Sequence, residues 1–412
     1  MAEHPFHPLS FELQKSAPQS RDTFHDLWGD YAGITGEPIE RKLFSEWPII
    51  ASQRLQDQLT QRVLALCYTL RPHLQASVMQ AQDWQHGGAA DILTIDYALI
   101  KKDGDDDDWD LRLVEFQSFT SLLAMGYRLQ QVHCELWPQL ADCPPWQKVD
   151  SEQEWLSASK GWMAGGENPA LLEYQPWQRG TTFDLHATAK LWKLPIIEPH
   201  QVEIDARGNF FSMRDGVRTQ HDKILNRLIL RELDDGGRFA RELQRAKLDW
   251  HSHPAWYFLV NKGSAAKVKI PFEPENVNLL DWRKLNLPAS DLVAKHSFSY
   301  AGKDLRMSPS ASELEQLIAE GQGKQWIVQP RFQPYAVAHS KSGEPIHAEF
   351  RMVVQLDAQL QPWIAMQIMR FYYGTSASGC YFQGREGEGG TILHRPPQSK
   401  RECQSSSQPP VH

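Results

Sequence analysis

Cysteine is scarce in this sequence: its 412 residues hold only Cys67, Cys134, Cys143, Cys380 and Cys403. The odd number, wide spacing and lack of any CxxC pair exclude a disulfide framework and a zinc ribbon, and predict a reducing, cytoplasmic setting. Long apolar runs are lacking too. Nothing approaches the ~18 residues of a membrane span, and Met1 to Lys15 has no basic segment leading into an apolar stretch, so neither a membrane nor an export route is expected. Positive charge is in deficit, with 43 Lys and Arg against 51 Asp and Glu, a formal charge of -8. That balance disfavours nucleic acid as the main partner and favours a small molecule. There is no GxSxG elbow, no GxxxxGK[ST] loop, no cysteine in a recognisable nucleophilic setting and no internal repeat.

What the chain does have is enough apolar material for a substantial core. At 41% hydrophobic and 23% charged residues, it should form two or three domains of roughly 150 residues each. Residues 1–90 read as helical, because Leu55, Leu59, Val63, Leu66 and Leu70 recur at steps of three and four, after Ser52 as N-cap and up to Pro72. Residues 91–250 read as a second region. It opens with a strand, Ile92 to Ile100, and a strand, Leu111 to Phe116, joined by a polar loop that includes the run Asp105 to Asp108. It continues through a β-rich stretch with turns at Arg207-Gly208-Asn209 and Asp215-Gly216, and a charged segment from Leu228 to Trp250 predicted helical. In residues 251–383 the expected strands are Leu292 to Lys295, Asp304 to Met307, Trp326 to Gln329, Ala348 to Val354 and Trp363 to Tyr373. Among them lies a helix with Ser310 and Glu313 as capping box and Gly321 to stop it. The Gly-rich and Ser/Gln/Pro-rich residues 384–412 read as a flexible tail.

Three groups of residues could carry chemistry. Asp96 lies on one strand of the predicted hairpin, Glu115 and Gln117 on the other; alternation projects Glu115 and Gln117 together, and an antiparallel neighbour can bring Asp96 beside them. Two carboxylates and an amide oxygen are hard ligands of the kind that hold magnesium while leaving room for water and phosphates. Their bland alternative is a pair of solvated strand-end acids. Lys262, after Asn261, and Lys295, before the small-residue loop Ser297 to Lys303 with Ser299 and Gly302, supply point charges for phosphate beside backbone able to approach an anion; each taken alone reads more readily as a surface lysine. Arg227, Arg351 and Arg370 are flanked by apolar residues and so require anionic partners, either structural carboxylates or a ligand. The Asp105–Asp108 run reads as a solvated loop rather than a metal site. His251-Ser252-His253 has no third ligand in view and reads as a loop entry.

In their order, these features resemble the ATP-grasp ligases, and in particular the circularly permuted branch containing the ATP-grasp part of glutathionylspermidine synthetase. The likeness runs over Leu113-Val114-Glu115-Phe116-Gln117-Ser118-Phe119-Thr120-Ser121-Leu122-Leu123 after Asp96, then Asn261-Lys262, Val293-Ala294-Lys295, Ser299 to Gly302 and Val328-Gln329. It implies an α+β, circularly permuted ATP-grasp fold after an N-terminal helical segment, with ATP and Mg2+ as cofactors. It further implies that Lys262 and Lys295, with the Ser299–Gly302 loop, hold the phosphates, that Gln329 lines the adenine, and that Asp96, Glu115 and Gln117 hold magnesium. Arginines among Arg227, Arg351 and Arg370 would steady an acyl phosphate as a small-molecule or peptide carboxylate is joined to an amine. Three departures stand out: Gln117 replaces an asparagine, Thr94 stands where the synthetases carry an arginine that assists the acyl-phosphate step, and Gln329-Pro330-Arg331 replaces an acidic hinge. They support a second expectation, a nucleotide-binding regulatory or scaffolding protein with reduced catalysis. A third, a carbohydrate binder, rests only on the fifteen tryptophans.

Overall fold

Leu93, Ile95, Tyr97 and Leu99 alternate with Thr94, Asp96 and Ala98, and this two-residue period builds a central strand with one apolar and one mixed face. The computed structural model describes residues 3–16, 43–80, 91–102, 104–119, 121–149, 151–233, 235–299, 304–374 and 382–397. Within these, strands and helices are numbered in chain order. The main sheet comprises β1 (Ile49–Ile50), β2 (Ile92–Lys102), β3 (Asp105–Gln117), β15 (Ala336–His339), β16 (Pro345–Leu356), β17 (Pro362–Tyr373) and β18 (Gly389–His394), in the order β1-β18-β17-β16-β2-β3 with β15 on β16. It is antiparallel except where β1 runs parallel to β18.

The apolar face of this sheet is covered by helix α2 (Gln53–Gln80), which follows α1 (Pro8–Lys15). Leu55, Leu59, Val63, Leu66 and Leu70 pack with Ile95, Tyr97, Leu99, Phe350, Met352 and Phe371 in one buried cluster. Ser52 Oγ accepts from Leu55 N at the start of α2, as expected of an N-cap. Pro72, however, lies inside the helix rather than ending it. The carbonyl deprived of a donor there belongs to Tyr68, on the exposed side of the helix, where water can replace the missing bond while the opposite face stays packed.

The other face of the sheet is covered at one end by three helices. There α3 (Leu123–Leu136), α4 (Glu152–Ala164) and α5 (Thr182–Trp192) share a core with Val353, Met366, Ile368 and Ile392. Contact between α3 and β17 is close, since a Cβ at Gly126 would meet Met366 Cγ and Sδ at 2.8 Å. A second sheet, β10 (Asp249–His251), β9 (Lys223–Asn226), β4 (Pro169–Leu172) and β5 (Ile196–Ile197), is parallel throughout. Beside it stands a meander, β6 (Val202–Ile204), β7 (Phe210–Arg214) and β8 (Val217–His221); Gly208 and the pair Asp215-Gly216 have positive φ at its turns, as the sequence suggests. A small sheet, in the order β11 (Val277–Asn278), β14 (Trp326–Pro330), β12 (Leu292–His296), β13 (Leu305–Met307), packs Leu292, Ala294 and Val328 against Leu314 of α7 (Ala311–Ala319). The capping box at Ser310 and Glu313 forms as expected.

Several expectations need correction. The Asp105–Asp108 run is not a loop but the start of β3; Asp105 and Asp107 are exposed as expected, while Asp108 is buried, and Arg54 and Lys102 donate to it at 2.8 and 2.9 Å. Partner cations and ladder bonds outweigh the mutual repulsion there. The segment Leu228 to Trp250 is helical only at α6 (Arg238–Leu243) and a single turn, Leu230–Glu232, and it ends in β10. Residues 1–90 contribute β1 as well as helices. The 384–412 segment is not wholly a loose tail: Gly389–His394 is a buried strand between β1 and β17, because Ile392 and Leu393 fill both cores. Among the described residues, no helix is long and apolar enough to cross a membrane.

Candidate functional site

The mixed face of the main sheet carries a row of charges. Register sets it: Arg370 lies opposite Glu349, Arg351 opposite Asp96, Asp96 opposite Glu115, and Thr94 opposite Gln117. Paired residues in a ladder share a face, so four adjacent strands bring these groups together.

Asp96 is the buried centre of the row. Arg351 grips it with two bonds, Nε to Oδ1 at 2.8 Å and Nη2 to Oδ2 at 2.6 Å, and Arg370 Nη2 donates to the same Oδ2 at 3.1 Å. Arg370 also pairs with the buried Glu349. Burial alone would push the Asp96 carboxyl up, but Arg351 and then Arg370 outweigh it and hold the group below the usual carboxylate range. Thr94 donates its hydroxyl to Phe119 O at 2.6 Å and so ties β2 to the segment leaving β3.

Glu115 belongs to a second cluster that joins the main sheet to the small one. A bulge falls between the Asp96–Glu115 and Tyr97–Leu113 pairs, leaving Val114 as the extra residue. The Val114 carbonyl accepts from Lys295 Nζ at 2.7 Å, and Glu115 Oε2 lies 3.0 Å from Lys262 Nζ. Lys262 also donates to Ser299 O at 2.7 Å. Lys262 is held at the start of a 3-10 turn, Lys262–Lys267, where the Asn261 side chain accepts from Gly263 N; a Cβ at Gly263 would meet Ser297 Oγ at 2.6 Å. Burial pushes the Lys295 ammonium down to about 8, with Glu115 and Asp96 opposing that shift and Lys262 adding to it. Gln329 pairs with Val293 as Lys295 pairs with Ile327, so Gln329 and Lys295 share the face of the small sheet turned toward β3. The structure therefore brings together Asp96, Glu115, Lys262, Lys295, Ser299, Arg351 and Arg370, with Gln117 and Gln329 on the bordering faces. Gly302 lies outside the described residues.

Arg227 stands apart from this cluster. It follows β9 and pairs with Asp184 at 2.9 Å, both buried, and its guanidinium lies 5.5 Å from the Phe119 ring. Asp184 in turn accepts from Leu122 N and Met125 N, so it caps α3 from a neighbouring helix. The bland alternative raised for Arg227, a structural ion pair, is what the geometry shows. His251 pairs with Asp91 at 2.7 Å, and among the described residues no group of three or more His, Cys, Asp or Glu could hold a metal ion.

As magnesium ligands the three expected residues divide. All offer hard oxygen donors, but both Asp96 oxygens are committed to guanidiniums, which does not fit a metal ligand. Glu115 and Gln117 fit better: magnesium commonly takes one or two protein oxygens and completes its shell with water and phosphate. The sequence reading missed Glu349, Asp184 and the Val114 carbonyl. Glu349 was within reach, since it lies two residues before Arg351 on the same strand face.

No family model and no curated protein matches this sequence. Among solved structures, a glutathione synthetase-like effector from Globodera pallida, in its apo form, superposes with a TM-score of 0.52 at 8% identity over 85% of this chain and 89% of its own. The fold is similar to that of a glutathione synthetase-like protein. At this identity the likeness bears on the arrangement of the chain alone, a mixed α+β structure of several sheets and helices.

Proposed function

We propose that this protein is an ATP- and magnesium-dependent carboxylate–amine ligase of circularly permuted ATP-grasp type, acting through an acyl phosphate on a small molecule or peptide in the cytoplasm. The observation that carries this reading is the convergence of Lys262 and Lys295, from the small-sheet region, on Val114 and Glu115 of the main-sheet hairpin. Two ammonium groups already held by oxygen atoms can exchange a carbonyl and a carboxylate for phosphate oxygens at little reorganisation. In this reading Ser299 and its loop flank the phosphates, Gln329 borders the adenine, and Glu115 and Gln117 hold magnesium, which would offset charge on the transferring phosphoryl group. Arg351 and Arg370 face the reacting carboxylate from the sheet, in the role the Thr94 position leaves open. Arg227 acts from the second sheet by holding Asp184 at the head of α3. Catalysis would be mainly positioning and charge stabilisation.

The test is a melting series with ATP, ADP and magnesium, followed by ADP release with pairs of carboxylic acids and amines. Ligand at a hundred times its Kd should stabilise by about 2.7 kcal/mol. A midpoint indifferent to millimolar ATP with magnesium sinks the proposal. A second reading, nucleotide binding without ligation, draws support from the commitment of Asp96 to two arginines. A nucleotide-dependent rise in midpoint with no ADP release from any acid–amine pair favours it.

A further inference from the structure

We propose that Asp96 is a positioning residue rather than a metal ligand: it fixes Arg351 and Arg370 side by side as a two-guanidinium clamp for a phosphoryl or carboxylate oxyanion on the main-sheet face. This deepens the ligase reading and rests on it for the identity of the clamped group.

The Asp96 side chain is 2% exposed, against 13% for Arg351 and 20% for Arg370, so the carboxylate lies beneath the two guanidiniums. Its bonds are those of an anchor. The bidentate contact with Arg351 fixes both the plane and the rotation of one guanidinium, while Oδ2 is shared with Arg370 and so sets the spacing of the second. Glu349 steadies Arg370 from the neighbouring position on β16, and Ser121 Oγ stands 3.5 Å from Arg351 Nη1. The arginines come from adjacent strands, β16 and β17, with the register fixed from Ile346 to Leu356 by their pairing. An anion bound by two oriented forks requires such a fixed base, because guanidinium recognition depends on direction as well as charge. A magnesium ion beside Asp96 would have to displace one fork and stand next to the other.

Inorganic phosphate and Mn2+·ATP are suitable probes of the full-length protein. Asp96→Asn removes a negative charge next to two cations. If the carboxylate only neutralised them, the variant would bind phosphate more tightly; if it positions them, binding weakens despite the added positive charge. The expected result by calorimetry is at least a fivefold loss of phosphate affinity in Asp96→Asn. Arg351→Lys, which keeps the charge but not the fork, should show a similar loss and provides the reading if Asp96→Asn does not fold. Bound Mn2+, counted by electron paramagnetic resonance in the presence of ATP, should change less than twofold in Asp96→Asn and fall at least tenfold in Glu115→Gln. Tighter or unchanged phosphate binding in folded Asp96→Asn (or, where that variant does not fold, in Arg351→Lys), a loss of Mn2+ in Asp96→Asn matching that of Glu115→Gln, or wild-type protein that takes no phosphate overturns the clamp. Wild-type protein that takes phosphate but not Mn2+·ATP, with the phosphate loss seen in the variants, sinks the nucleotide reading and leaves the clamp standing.

Discussion

Lys295 reaches the Val114 carbonyl by carrying its ammonium group into a buried position, where desolvation works against its charge. In the ligase reading, phosphate oxygens meeting the ammonium group offset that cost. Lys295→Ala should therefore weaken ATP at least tenfold, about 1.4 kcal/mol, in a calorimetric titration; unchanged nucleotide affinity removes Lys295 from the site. The Arg227–Asp184 pair calls for a different measurement. Both side chains are almost fully buried, and Asp184 also serves two N–H groups at the head of α3. Asp184→Ala should destabilise the protein by about 3–5 kcal/mol in urea, whereas Arg218→Ala, which breaks an exposed pair with Glu203, should leave the urea midpoint near that of the wild type. That apolar neighbours demand an anionic partner for an arginine was legible in the sequence. Which anion was not: Asp184 precedes Arg227 by 43 residues and Asp96 precedes Arg351 by 255. No local pattern encodes such pairings.

At the scale of elements, period and capping were the reliable signals. The strands around Asp96, Lys295, Arg351 and Arg370, the helix capped by Ser310 and the face of α2 all follow from local spacing, because alternation and three-to-four-residue recurrence are imposed by the core each element covers. Polarity misled at both ends of the sheet. Four aspartates start β3 because Arg54 and Lys102 neutralise Asp108 across the edge, and a glycine-rich stretch becomes β18 because glycine is needed where the chain passes residues 44 and 45. Gly389 has φ of +129°, and a Cβ there would lie 2.5 Å from Phe44 C and 2.6 Å from Ser45 N, both backbone atoms that no rotamer change can move. Gly389→Val should therefore cost at least about 2 kcal/mol. A urea midpoint equal to wild type would show that β18 does not need its glycine.

Across the whole molecule, α3 and β18 meet at two buried, stacked histidines. His394 Nδ1 bonds Cys143 O at 2.9 Å, and His133 Nδ1 lies 2.9 Å from His394 Nε2. With His394 donating to the carbonyl, its Nε2 accepts from His133. Burial lowers His394 to about 4, and burial with the neighbouring ring holds His133 well below its usual value. An unfolded chain would take up these protons near pH 6.5, so the stability they contribute is complete above that pH and drains away as pH falls toward about 4. His394 alone accounts for roughly 3 kcal/mol over this window. Urea midpoints at pH 7 and pH 5 should separate in the wild type and lie closer together in His394→Gln; an equal separation would clear His394 of this role. Because β1 near residue 50 pairs with β18 near residue 393, a ribosome must release nearly the whole described chain before that edge of the central layer can close. Until then β1 lacks its ladder partner, so this parallel pairing is among the last contacts of the described chain to form.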